Sequence, residues 1–353
     1  MHTLVVGLNH TTAPIEVREA LYLRGPEREL LLSELKNDPS VAEAIVLSTC
    51  NRTEIYANVI DADPELLLKK MFSIKKLPFN LNFKKHFYVY HGQKAVSHLL
   101  RVSSGLDSLI LGERQILGQL KEAVALSRKK GTLSKEFNIL SHIAIRTGKK
   151  ARNETQINCG GSSVSWAAVA MADKILKTLK NRSALIIGVG KMSHLAVGYL
   201  KKKGMDAIYI MNRTLEHSQS LAREAGGIAV SFWEIKEILK KVDVCICATG
   251  CPNYLIEKGL VEKVMGERQQ APLVFIDISM PRNINPEVSS LENITLMAID
   301  DLKRVREDNI EKRSESISQV EAIIAKKVDE FYLKVSKNSL AKVMEFEESI
   351  KII

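Results

Sequence analysis

A chain of 353 residues with 45% hydrophobic side chains is too long for one ordinary domain and apolar enough to fill two or three cores. Mean hydropathy is -0.04, and no run of the roughly eighteen apolar residues needed for a membrane-spanning helix occurs, so a membrane helix is excluded. The net charge of +10 and a pI near 9.2 favour a polyanionic partner, while five cysteines without a secretion signal read as reduced thiols in the cytoplasm, not as a disulfide framework.

Residues 3–8, TLVVGL, predict a first strand, and Pro14 to Leu35 a helical region. Two runs rich in β-branched residues follow, Ile45-Val46-Leu47 and Ile55-Tyr56-Ala57, around the polar break Ser48 to Thr53. That break offers Cys50 at a strand end, with the Arg52 guanidinium two residues on. A nearby cation favours the thiolate, which is the nucleophilic form. Cys50 is therefore a candidate to attack a carbonyl carbon and carry an acyl group; the alternative is a quiet thiol packed at a strand end. A helix over 64–77 and a strand at Phe87 to Tyr90 complete the order strand, helix, strand, strand, helix, strand. This is the order of a split βαβ sandwich, and it places an α+β domain at residues 1–155 with helices in its second half.

His91 to Val102 has apolar residues at helical spacing and carries His98. GLDSLILGERQILGQLKEA follows, punctuated by Gly105 and Gly112, with a helix from Gln115. Ser108, Glu113, Arg114, Gln115 and Gln119 form a dense polar set that suits an amino acid: a carboxylate for its ammonium, a guanidinium for its carboxylate. A capped helix start explains the same residues without a ligand. Helical sequence is expected to continue to about Thr155. Between Arg128 and Arg152 it holds eight Lys or Arg and one acid, Glu136, a strip suited to phosphates or simply to water. NCGGSSVSWAAVAMA then marks a domain boundary at 155/156.

SALIIGVGKMS opens a second domain, residues 156–298. A strand at 184–187 runs into Gly188-Val189-Gly190 and the helix start Lys191-Met192-Ser193, then a second strand at 207–211. This is the context in which a glycine turn lets a pyrophosphate approach a helix N-terminus, so a Rossmann-like dinucleotide site is expected. NAD sites place an acid after the second strand; here stand Asn212-Arg213-Thr214, which favours the extra 2'-phosphate and hence NADPH. Strand-like segments at 228–230, 243–248 and 273–276 extend a parallel sheet. Cys245, Cys247 and Cys251 have no usual zinc spacing and read as packing, so no metal is expected. DISMPRNINP, 277–286, reads as structural. From Asp300 the apolar residues Leu302, Val305, Ile317, Val320, Ile324, Val328, Phe331 and Val335 predict one long helix within a third segment, 299–353.

STCNRTEIY, GLNHTTAPIEVREAL and GLDSLILGERQILGQLKEA together resemble the glutamyl-tRNA reductases, from residue 3 to about 310. The resemblance implies NADPH-dependent reduction of glutamyl-tRNA(Glu) to glutamate-1-semialdehyde through a thioester on Cys50, the first step of tetrapyrrole synthesis. It also implies that Thr49 to Arg52, Ser108, Glu113 to Gln115 and Gln119 contact the glutamyl group, that His98 lies at the active site, that the chain forms a homodimer, and that an aminomutase takes the product. Arg114 departs from the family's usual small residue, so only its backbone is carried over. Two other readings stand beside this one. One is a shikimate-dehydrogenase-like NADP oxidoreductase, which gives no reason for the Cys50 loop. The other is a non-catalytic tRNA- or cofactor-binding regulator derived from the reductase.

Overall fold

The computed structural model describes residues 2–61, 63–159, 163–303 and 314–350. The chain divides into two units, Met1–Cys159 with Ile310–Ile353, and Gly160–Asn309.

The first unit opens with β1 (His2–Asn9), α1 (Ile15–Leu21), α2 (Gly25–Lys36), β2 (Val41–Ser48), β3 (Arg52–Val59), α3 (Pro64–Lys75), the short α4 (Leu81–Lys84) and β4 (Tyr88–His91). The four strands pair antiparallel in the order β2-β3-β1-β4, which is the split βαβ topology. Side chains alternate between the faces of this sheet. Leu4, Val6, Val46, Ile55 and Ala57 pack on Leu31, Leu32 and Leu35 of α2 and on Leu67, Leu68 and Met71 of α3. Val5, Ile45, Leu47 and Tyr56 face the other way, into the helices α5 (Gln93–Ser104), α6 (Gln115–Lys130) and α7 (Lys135–Glu154). With both faces covered, all eight residues of β3 are buried. The same alternation puts Arg52, Glu54 and Tyr56 together on the face covered by α5 to α7.

The helical region Pro14 to Leu35 is two helices, because the chain turns extended at Tyr22 and Arg24 before Pro26 enters the first turn of α2. The helix expected to run to Thr155 stops at Gly131, which takes a left-handed conformation. Thr132 then donates to the Ala44 carbonyl at 2.9 Å, and the buried Glu43 carboxylate accepts from the backbone N–H of Ser134 and Phe137 at 2.6 and 3.0 Å, capping α7.

The second unit contains α8 (Val164–Leu176), β5 (Ser183–Ile187), α9 (Lys191–Lys202), β6 (Ala207–Met211), α10 (Leu215–Ala225), β7 (Ile228–Val230), α11 (Ile235–Leu239), β8 (Val244–Cys247), α12 (Lys258–Glu267), β9 (Leu273–Asp277) and β10 (Ile294–Ala298). Its strands pair parallel in the order β10-β9-β8-β5-β6-β7. This is the doubly wound order, whose direction reverses between β5 and β8. Cys245 and Cys247 are fully buried in β8. Strand β10 was not read from the sequence; its five residues are only half-buried at the sheet edge, so they lack the strong apolar signal of an inner strand.

The long helix is α13 (Ser314–Ile350). It was expected from Asp300, but Ile299–Leu302 forms a separate 3-10 turn, and residues 304–313, including Val305, lie outside the described residues, as does 160–162 at the expected domain boundary. Val320, Ile324, Val328 and Phe331 are buried in the core shared with α5 and α7, so this stretch of α13 belongs to the first unit.

Candidate active site

Cys50 sits half-buried in the three-residue connection between β2 and β3. Thr49 organises that hairpin. Its N–H donates to the Arg52 carbonyl at 2.8 Å, and its hydroxyl accepts from the N–H of both Asn51 and Arg52 at 3.2 Å. The Asn51 carbonyl is tied to the His10 N–H at 3.0 Å. Arg18, buried on α1, donates from Nη1 to the Cys50 carbonyl at 2.8 Å. The Arg52 guanidinium, expected beside the thiol, is committed elsewhere. It donates to Glu54 Oε1 and to the Asp107 carbonyl, both at 2.6 Å, and is 1% exposed.

Glu54 is the hub of the buried face of β3. Besides Arg52, its carboxylate accepts from Tyr56 Oη at 2.7 Å, from Tyr88 Oη, and from His98 Nε2 at 2.9 Å. The other ring nitrogen of His98 faces Asp107 at 3.5 Å, and Arg101 holds that carboxylate at 3.0 Å while reaching Glu321 of α13 at 2.5 Å. Burial alone would raise the Glu54 carboxyl, but Arg52 and His98 outweigh it and hold the group well below the usual carboxylate range. Burial likewise works against a charged His98, yet Glu54 and Asp107 raise its pKa above the ordinary histidine value. Set between two carboxylates, the His98 ring is favoured toward its protonated form, in which both nitrogens are donors.

The second polar set comes from the loop between α5 and α6. Gly112 N–H closes it onto the Gly105 carbonyl at 3.0 Å. Gly112 has φ +73°, and a Cβ there would lie 1.9 Å from the Ile157 carbonyl oxygen, so only glycine fits. The closed loop turns the Asp107 carbonyl and Ser108 inward and buries Glu113, whose carbonyl is held by Arg152 Nη2 at 2.9 Å. Burial pushes the Glu113 carboxyl up to about 7, with the Arg52 and Arg152 charges and Ser108 opposing only in part. Gln115 and Gln119 lie one turn apart on α6, half-buried, whereas Arg114 is exposed. Asn51 Oδ1 and Gln115 Nε2 are buried with no hydrogen-bond partner among the described residues, so each has capacity left for a ligand. Among the described residues no hydrogen bond joins Gln119 to the Cys50 hairpin. Arg18, Glu54 and Asp107 were missed by sequence reasoning; of these only Glu54 had a signal, its two-residue spacing from Arg52 on a strand.

In the second unit a cavity of about 450 Å³ lies over the carboxyl ends of β5, β6 and β8. Ile187, Asn212, Arg213, Thr214, His217, Phe232 and the turn Thr249 to Pro252 line it, with Leu255, and none of these is acidic. The glycine turn and the helix start Lys191-Met192-Ser193 are adjacent in sequence to Ile187 but outside that lining. Gly188 has φ +108°, and a Cβ would strike the Ala248 carbonyl at 2.4 Å, while space above Gly190 is open. A tight turn, an open helix start and a cationic Arg213 without an acid fit a 2'-phosphorylated dinucleotide. Among the described residues no group of three or more His, Cys, Asp or Glu could hold a metal ion, and no helix is long and apolar enough to cross a membrane.

Residues 6–155 match the family model for the N-terminal domain of glutamyl-tRNA(Glu) reductase, and residues 170–305 that for shikimate/quinate 5-dehydrogenase. The glutamyl-tRNA reductase of Thermodesulfovibrio yellowstonii is 39% identical over 342 residues, covering 94% of this chain and 79% of that protein. The chain belongs to the glutamyl-tRNA reductase family. The glutamyl-tRNA reductase of Carboxydothermus hydrogenoformans is 42% identical over 332 residues, covering 94% of this chain and 74% of its own. The solved glutamyl-tRNA reductase of Methanopyrus kandleri is 31% identical, with a TM-score of 0.53 over 95% of this chain and 80% of that one. The resemblance carried by STCNRTEIY and GLDSLILGERQ is borne out, and with it the NADPH-dependent oxidoreductase class and the α+β and Rossmann-like architecture. A glutamyl-tRNA reductase N-terminal domain ahead of a dehydrogenase-like one sets aside a plain shikimate dehydrogenase.

Proposed function

We propose that this member of the family reduces the ester of glutamyl-tRNA(Glu) to glutamate-1-semialdehyde, with Cys50 as nucleophile. The observation that carries the reading is a half-buried thiol on a hairpin braced by Thr49 and Arg18, two residues before Arg52 of a buried charge cluster. Its sulfur attacks the ester carbonyl carbon, the bond to the tRNA oxygen breaks, and that oxygen leaves with a proton, leaving a thioester. His98, whose pKa its two carboxylate neighbours raise, is assigned to supply that proton. Glu113 and the free amide of Gln115 offer an acceptor and a donor for the glutamyl ammonium and carboxylate. Asn212, Arg213 and Thr214 would hold the adenosine end of NADPH, with the Gly188 to Ser193 turn at its pyrophosphate. When bound, NADPH supplies the hydride that turns the thioester carbon into an aldehyde and frees the thiolate.

The proposal assigns the acyl chemistry to residues 1–155 and the cofactor to 156–298. It takes the exposed face of α7, with Arg146 and Lys149, as a place where tRNA phosphates bind. It further includes a homodimer, an aminomutase that accepts the labile aldehyde, and a cytoplasmic setting in keeping with five cysteines that form no disulfide. The test is Cys50→Ser. Mixed with charged tRNA and no nucleotide, the wild-type protein should gain the mass of a glutamyl group and the variant should not. Semialdehyde formation by the variant at the wild-type rate would refute the thioester.

A further inference from the structure

The segment that follows β9 bears no part in the site as described, yet it is joined to one wall of the cofactor cavity by a dense set of hydrogen bonds. Asn283 is completely buried and lies outside the cavity lining. Its carboxamide Nδ2 donates to two main-chain carbonyls of the turn after β8, Cys251 at 3.0 Å and Asn253 at 3.1 Å. Its Oδ1 accepts from the Thr249 hydroxyl at 2.5 Å. Its own carbonyl accepts from the N–H of Leu255 and Ile256 at 2.7 and 3.1 Å. Nearby, Ser279 Oγ accepts from the Thr249 N–H at 3.1 Å. Asp277, at the end of β9, anchors the clamp by accepting from the N–H of Ser279, Asn283 and Ile284 at 3.0, 2.6 and 2.8 Å.

The turn Thr249 to Pro252 is a wall of the cavity, so the clamp sets that wall's shape from behind. Sheet order says which part of the ligand meets it. A dinucleotide straddles the point where strand order reverses, here between β5 and β8. Arg213 after β6 takes the 2'-phosphate side, which leaves the turn after β8 for the nicotinamide side. We propose that Asn283 is a positioning residue for the nicotinamide half of the cofactor, acting through the turn Thr249 to Asn253. This rests on the NADPH reading of the cavity.

The isosteric change Asn283→Asp tests it, because an oxygen would replace Nδ2 and face two carbonyl oxygens. Binding of NADPH and of 2'-phospho-ADP-ribose, which lacks nicotinamide, is measured by calorimetry on the full-length protein. The variant should bind NADPH about tenfold more weakly, the loss of one to two hydrogen bonds, and the fragment within about twofold of wild type. The KM for NADPH should rise while the KM for charged tRNA holds. Equal weakening of both ligands, or of neither, overturns the proposal. Failure of the wild type to bind either ligand would instead refute the cofactor reading itself. Should Asn283→Asp not fold, Ser279→Ala, which removes the acceptor of the Thr249 N–H and the side-chain contact of Ser279 with Asp277, should show the same selective loss in milder form, and an unselective loss there counts against the clamp.

Discussion

Two carboxyls buried in the same unit are driven in opposite directions. Glu54 meets Arg52, His98 and two tyrosines and stays ionised. Glu113 has only partial opposition to its burial and is pushed up to about 7. For a carboxyl raised in the fold, the native state binds the extra proton, so stability falls as pH rises from the unfolded value of 4.5 to about 7. Glutamine keeps the shape and removes the ionisation. Glu113→Gln should therefore match wild type below about pH 4 and exceed it by about 3 kcal/mol above pH 7, read from urea midpoints across pH. A difference that does not vary with pH would show that the carboxyl does not titrate there. The same variant should lose about tenfold or more in kcat/KM, since the ammonium loses its counter-charge. Stability gained where activity is lost is the behaviour of a residue kept for chemistry.

The pairing of β1 with β3 makes room for the hub. Gly7 lies opposite Glu54, and a Cβ on Gly7 would come within 2.7 Å of Glu54 Cγ and 2.9 Å of the Thr53 carbonyl. Gly7→Ala should cost about 1–3 kcal/mol from overpacking and displace the Glu54 carboxylate. His98, raised chiefly through that carboxylate against its burial, should then titrate lower, which NMR of its ring protons follows directly. Lost stability with an unmoved histidine would mean that the strain is absorbed away from Glu54. This element also shows what the sequence could and could not tell. Two-residue spacing puts Arg52, Glu54 and Tyr56 on one face, so the cluster was half legible in NRTEIY. Its remaining members come from far along the chain: Arg18 reaches Cys50 across 32 residues and Arg52 reaches Asp107 across 55. No local pattern encodes such contacts. The break at Gly131 was hidden for the same reason, because Glu43 of β2 supplies the cap of α7.

For the molecule as a whole, the parallel sheet was readable because each inner strand is a short apolar run set off by turns, and the family motifs carried the rest. Charge was harder to read, because a count of basic residues does not say where they point. Of the eight between Arg128 and Arg152, Arg152 turns inward to the carbonyls of Ser103, Gly148 and Glu113, Lys130 pairs with Glu29 at 2.9 Å, and Lys150 with Glu154 at 3.4 Å. His142, Arg146, Lys149, Lys150 and Asn153 are exposed at three- and four-residue steps along α7, which lines them up on one side. Arg146 and Lys149 have no ion pair among the described residues, so their charge is available to an outside anion. Phosphate contacts release counterions, and each one adds slightly less than one to the slope of log affinity against log salt. The double change Arg146→Glu with Lys149→Glu should therefore flatten that slope for tRNA by about two and raise the KM for charged tRNA, while the Kd for NADPH stays at the wild-type value. A slope identical to wild type would leave this face as solvated charge and send the search for the tRNA surface elsewhere on the first unit.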